Sequence, residues 1–172
     1  MLSSKQICAL IVGLGSLHVA SAAPALESRS VPEPFPEVIP GEGFPSLESL
    51  NLTSEYLYSL PKPESVELEM SIMADPRCGG NYTPVSGAIA CFHYLNSLGT
   101  QQCGVPISQR SIVMCSSGNS QITGHGIGHS SWCQHVALGA LWSIDHCTRP
   151  QGDVAGIAPA YGNGDLMVSV GQ

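Results

Sequence analysis

Six cysteines, Cys78, Cys91, Cys103, Cys115, Cys133 and Cys147, all fall after residue 77 of a 172-residue chain. An even set of this kind, in an oxidising compartment, argues for a framework of three disulfides. Metal binding is the competing chemistry. Structural metal sites draw on closely spaced cysteine pairs; here there is no CxxC, and the nearest cysteines are twelve residues apart. No metal and no cofactor is expected. The six thiols allow fifteen pairings.

Five histidines share the same region: His93, His125, His129, His135 and His146. His125 and His129 stand four apart in GHGIGH, a spacing that seats two metal ligands on one helical turn in zincin-type helices. Gly124, Gly126 and Gly128 oppose a helix here, and no Glu follows His125. On a strand the two side chains would lie ~13 Å apart. They read as a surface or loop pair that can respond to acidity, since histidine titrates near 6.5. Glycosidases use two carboxylates, and this region offers only Asp145, Asp153 and Asp165. The nucleophile elbow GxSxG is absent. No catalytic residue is assigned and no enzyme is expected. Trp132, Trp142 and Tyr161 are the candidate binding residues, because aromatics are enriched where proteins touch partners.

These residues need elements to hold them. Ile89, Phe92, Leu95 and Leu98 recur at helical spacing, so a helix is expected over about 87–98, with Ser86 capping its start and Gly99 its end. A second is expected from Trp132 to about Cys147, capped by Ser130-Ser131, with Cys133, Ala137, Ala140, Leu141 and Ile144 on its apolar face. At 1.5 Å per residue Cys133 and Cys147 lie ~21 Å apart, beyond the ~7 Å reach of a disulfide, so they must staple opposite helix ends to other elements. Gln101–Val105, Ser111–Cys115 and Ser120–Gly124 read as short strands; a Cys103–Cys115 bridge could link the first two, and the sequence alone does not choose among the pairings. Val154–Ala158 and Leu166–Val170 follow as strands around the turn Gly162–Asp165. The order predicts an α+β fold: a small disulfide-stapled two-layer sandwich, an antiparallel sheet with two helices on one face.

The rest of the chain differs in kind. Lys5 precedes an apolar run from Ile7 to Ala20 that ends in Ala20-Ser21-Ala22. Charge, a run too short for ~30 Å of hydrocarbon and a small-residue exit read as a signal peptide over 1–22, which removes the seventh cysteine, Cys8. No later stretch is a transmembrane candidate. A secreted, extracellular product is expected. Net charge is −7, and every acidic residue except Asp145, Asp153 and Asp165 falls between Glu27 and Asp75. Nucleic acid, which is bound by basic patches, is excluded as a partner. Residues 23–77 carry scattered prolines and no cysteine, and their apolar residues follow no period. They read as a disordered acidic arm or pro-segment, with a short helix near Ser54–Leu60. The stapled domain is placed at 78–172. Asn51-Leu52-Thr53 and Asn81-Tyr82-Thr83 are N-glycosylation sequons.

Three segments carry a resemblance: Cys91–Gly99 (CFHYLNSLG), the SSWC entry at Ser130–Cys133 into a helix ending at Cys147, and Gly162–Val170 (GNGDLMVSV). With the cysteine placement, residues 78–172 resemble fungal small secreted cysteine-rich effectors, and are similar to necrosis-inducing extracellular effectors and killer-toxin-like α/β sandwich proteins. The resemblance implies a virulence or toxin-like protein that acts on a host or competitor by binding a host protein, a membrane component or a cell-wall polymer. A small secreted hydrolase or nuclease using histidines, and a structural protein of the producing fungus's wall or surface, are the alternatives. The acidic arm is not part of that family pattern.

Overall fold

The computed structural model describes residues 35–65 and 75–172. The expected signal peptide over 1–22 with Cys8, and residues 23–34 and 66–74 of the arm, lie outside them. Within the described residues the chain is an α+β sandwich. Eight strands are formed by Val38–Pro40 (β1), Arg77–Pro84 (β2), Gln102–Gly104 (β3), Ser111–Ser117 (β4), Ser120–His125 (β5), Ser130–Trp132 (β6), Asp153–Ala160 (β7) and Asn163–Gly171 (β8). Three α-helices cover Ser54–Ser59 (α1), Val85–Ser97 (α2) and Cys133–Cys147 (α3). Six strands make one antiparallel sheet in the order β1-β4-β5-β8-β7-β2, while β3 and β6 pair apart as a small ladder.

Alternation sets the two faces of the sheet. Ile122 pairs with Val170 and Val168 with Ala158, all buried, and these point toward the helices. Thr123 pairs with Ser169, and Ser169 with Ile157, on the opposite face, where each is half-buried. Both long helices lie on the first face: α2 crosses β4 and β5, α3 crosses β7 and β8, and the two pack on each other. Contact is close because glycines meet the sheet. A Cβ on Gly87 of α2 would stand 2.8 Å from the Ser117 carbonyl oxygen, and one on Gly139 of α3 would stand 2.8 Å from that of Pro159.

Helix starts are set by tertiary partners. Neither Ser86 nor Ser130-Ser131 acts as a cap. The helix α2 follows directly on Pro84, whose carbonyl accepts from Ser120 Oγ, and the Val85 N–H donates to the Gly152 carbonyl. The first N–H groups of α3, on Cys133 and Gln134, donate to the carbonyls of Gln101 and Gly99 in the turn that ends α2. Ser130 and Ser131 are therefore released to form β6.

The arm departs from expectation. Over residues 35–65 it is a strap and not a disordered segment. Its β1 pairs with the edge of β4, Val38 N donates to Ser54 Oγ, and Thr53 Oγ1 caps α1 by accepting from Tyr56 N. The α2 side chains Tyr94 and His93 reach out to it: Tyr94 OH donates to the Pro45 carbonyl at 2.7 Å and His93 Nε2 to that of Pro61 at 2.9 Å. Lys62 pairs with Asp145 of α3 at 2.8 Å. Val38 and Leu57 become fully buried. The apolar residues of the strap enter the core one at a time, so no periodicity marks them. Prolines are tolerated because they sit in irregular connections and at the end of the edge strand β1. The folded unit thus begins well before residue 78.

Candidate functional site

The cysteines form three bridges: Cys78–Cys147, Cys91–Cys115 and Cys103–Cys133, with Cα separations of 5.2, 5.6 and 4.9 Å. Cys133 and Cys147 do staple opposite ends of α3 to different strands, β3 and β2. A Cys103–Cys115 bridge, one of the pairings left open by the sequence, does not form. Strand β3 pairs with β6 and not with β4, which carries Cys103 to the first turn of α3. Cys115 faces α2 instead and takes Cys91. Both of these bridges are fully buried, whereas Cys78 lies on an exposed stretch of β2.

The histidines separate. His125 Nε2 lies 2.8 Å from Ser169 Oγ on the sheet face away from the helices, where burial lowers its pKa below 6.5. Gly126–Gly128 turns the chain, and His129 Nδ1 ends 4.0 Å from an Asp165 carboxylate oxygen. His93 is tied to Pro61, and desolvation outweighs that hydrogen bond in lowering its pKa. Among the described residues no group of three His, Cys, Asp or Glu side chains gathers to hold a metal. The carboxylates are likewise dispersed: Asp145 is paired with Lys62, and Asp153 with Arg149, which lies over the Tyr82 ring at 3.4 Å. The Arg149 hydrogen bond holds the Asp153 carboxyl below its ordinary range.

Two of the three expected contact aromatics come together. Trp132 ends β6 with 44 % of its surface exposed. His135, three residues on in the first turn of α3, shares its side of the helix, and the two rings lie 5.0 Å apart at 46°. Tyr161, in the β7–β8 turn, meets His135 edge to face at 5.9 Å. The Tyr161 N–H donates to the His135 carbonyl, and Ser131 Oγ donates to the Tyr161 carbonyl, both at 3.0 Å. Gly162 closes the turn at φ +71°, and a Cβ there would stand 2.7 Å from His135 Nδ1, so the imidazole rests against bare backbone. The result is an open cleft of ≈ 330 Å³ lined by Gln102, Ser130, Ser131, Trp132, His135 and Gly162. Its walls carry no carboxylate, lysine or arginine. The Cys103–Cys133 bridge and the β3–β6 ladder, with Gln102 opposite Trp132, fix its frame.

Trp142 stands elsewhere. It stacks on His146 at 4.5 Å and 11° and packs against the core. Sequence reading missed His135 and Gln102 as cleft residues. The i, i+3 spacing of Trp132 and His135 carried a signal for the first; nothing local marks the second.

Asn51 is exposed at the end of a 3-10 turn, with φ 53°, beside a wider groove of ≈ 660 Å³ edged by Glu37 and Glu48. Asn81 is exposed on β2, its carbonyl accepting from the Gln172 N–H. Both sequon asparagines are therefore exposed, whereas Thr83 of the second sequon is buried and donates to Ser120 Oγ. Among the described residues no helix is long and apolar enough to cross a membrane.

No curated protein and no solved structure matches the chain. One family model does, over residues 73–172, more than half of the 172 and spanning α2, α3 and every strand but β1. The chain belongs to that family, described as a domain of unknown function, DUF8794.

Proposed function

We propose that this protein is a secreted binding module of the effector or toxin type, acting on a host or competitor through the aromatic cleft at Trp132. The observation that carries this is an indole held 44 % exposed at the start of α3, in a frame locked by a buried disulfide. Leaving a large aromatic in water has no stabilising value to the fold, and exposed aromatics in rigid concave settings are what contact surfaces are made of. Three disulfides in a chain of this size suit an oxidising, extracellular setting, as does the leader-like run Ile7–Ala20. The resemblance to fungal effectors points the same way.

The test is infiltration of the purified protein into leaves, and its addition to competing microbes, beside a Trp132→Ala variant. A response to the native protein that the variant loses is expected. Absence of any response, with unchanged virulence of a knockout strain, refutes the reading.

One observation favours the second reading, a small hydrolase using histidines. His125 Nε2 sits 2.8 Å from Ser169 Oγ and burial lowers its pKa, the arrangement of a base beside a hydroxyl nucleophile. Labelling of Ser169 by a fluorophosphonate, abolished in His125→Ala, supports it; an unlabelled native protein rejects it.

A further inference from the structure

We infer that the aromatic cleft takes a pyranose unit of an uncharged polysaccharide. This rests on the binding-module reading and names its ligand. A pyranose ring presents one flat face of C–H bonds and a belt of hydroxyl groups around it. The face buries against an aromatic plane, as other apolar surfaces do. The hydroxyls lose water on binding and must find donors and acceptors, because an unpaired buried hydroxyl is costly.

The cleft supplies both. The Trp132 indole is the exposed plane. Around it stand the Gln102 amide, which both donates and accepts, the hydroxyl-bearing Ser130 and Ser131, and the His135 imidazole. No wall residue is a carboxylate, lysine or arginine, so an ammonium group finds no counter-charge there and a phosphate or carboxylate finds no permanent one. An overall charge of −7 also repels anionic polymers and membranes at long range. At ≈ 330 Å³ the space is at the small end of ligand sites, and it is open rather than enclosed. That suits one or two units of a chain that passes through better than a small molecule that must be engulfed.

An apolar protein partner would prefer a different part of the same end. Ile107 is 86 % exposed and Ile127 54 %, and the two loops touch where Ile107 meets Gly128. They lie beyond the opposite end of the β3–β6 ladder from Trp132, since Gly104 pairs with Ser130 while Gln102 pairs with Trp132. The two surfaces can therefore be mutated separately.

The experiment is co-sedimentation of the secreted protein with particles of cellulose, chitin and β-1,3-glucan. The chain has two tryptophans, so a Trp142→Phe background makes indole fluorescence report on Trp132 alone. Retention on at least one polymer is expected, with a shift in that fluorescence on adding soluble oligomers. Binding should weaken at least about tenfold in Trp132→Ala and be largely kept in Trp132→Phe and in Ile107→Ser/Ile127→Ser. Circular dichroism of each variant excludes unfolding. The inference is overturned if no polymer retains the native protein, if Trp132→Ala binds as well as native, or if loss follows the isoleucines. A leaf or microbial response that needs Trp132 while no polymer binds sinks the sugar assignment and keeps the binding module. Loss of both refutes both.

Discussion

Replacing Cys78 and Cys147 together by alanine removes the bridge that closes the longest loop, 69 residues in sequence separation against 24 for Cys91–Cys115 and 30 for Cys103–Cys133. In the chain-entropy description the cost grows with the logarithm of loop length, giving about 4.4 kcal/mol for the longest and about 3.4 and 3.6 kcal/mol for the others. Cys78 is exposed and adds little packing, whereas Cys147 is buried in the core, so a modest packing loss at Cys147 adds to the loop term. Against a total stability of about 5–15 kcal/mol this is a large fraction. Equilibrium urea unfolding checks it: the midpoint should fall steeply in the double variant. The kinetic order runs opposite to the thermodynamic one. Cys91, Cys115, Cys103 and Cys133 are sealed in the core, so a dilute thiol reaches Cys78–Cys147 first. Mass mapping after brief reduction should find one species with free thiols at 78 and 147 and two bridges intact; stronger reduction should then unfold the core. A stability loss below about 1 kcal/mol in the double variant, or first thiols at any other pair, refutes the reasoning, because β2 would then be held by its ladder with β7 alone.

Gly87→Ala should destabilise even though alanine is the better helix former by about 1 kcal/mol. Its Cβ meets the Ser117 carbonyl at 2.8 Å and Ser120 Oγ at 2.6 Å, and Ser120 already links Thr83 to Pro84 by two hydrogen bonds. Overpacking against backbone should leave a net loss of about 1–2 kcal/mol in thermal unfolding; a rise in Tm contradicts this packing. Gly162→Ala forces a side chain into φ +71° and onto His135; a loss of about 1 kcal/mol or more and a changed Trp132 fluorescence in Trp142→Phe are expected, and an unaltered spectrum counts against the cleft's floor. Acid should weaken the fold through His125 and His93. Both have pKa values lowered by burial, so the unfolded chain binds more protons and stability falls as pH drops through 6.5 toward their folded values. His125→Gln should flatten the curve there, and an NMR titration placing the His125 pKa above 6.5 reverses the argument.

What sequence could and could not reveal follows from where each signal is stored. Strand β8 was legible because Leu166, Val168 and Val170 alternate with half-buried partners over one buried face. The apolar stripe of α3 was legible for the same reason at period 3.6. The pairing of Cys103 was not, because it depends on β3 leaving the main sheet, a choice made by β6 thirty residues on. Helix caps misled because the carbonyls of Gly152, Gln101 and Gly99 accept the first N–H groups of the two helices from afar. The strap was invisible because Val38 and Leu57 are buried by different neighbours with no common repeat. Trp132 and Tyr161 stood out as aromatics, but only the return of the β7–β8 turn onto α3 brings them to His135.

The strap also guards solubility. A sheet's outermost strands invite pairing with another copy, and this one has short or broken margins on both sides. On one side β1 is three residues long and ends in Pro40; on the other, β2 is interrupted by Gly79 and Gly80 at φ 124° and 121° and by a bulge. Without residues 35–65 the margin would become β4, seven residues including Ile112, Val113 and Met114, a continuous apolar template. A fragment cut to the family boundary at residue 73 is therefore a candidate for fibrous self-association, and the strap is what keeps the sheet finite.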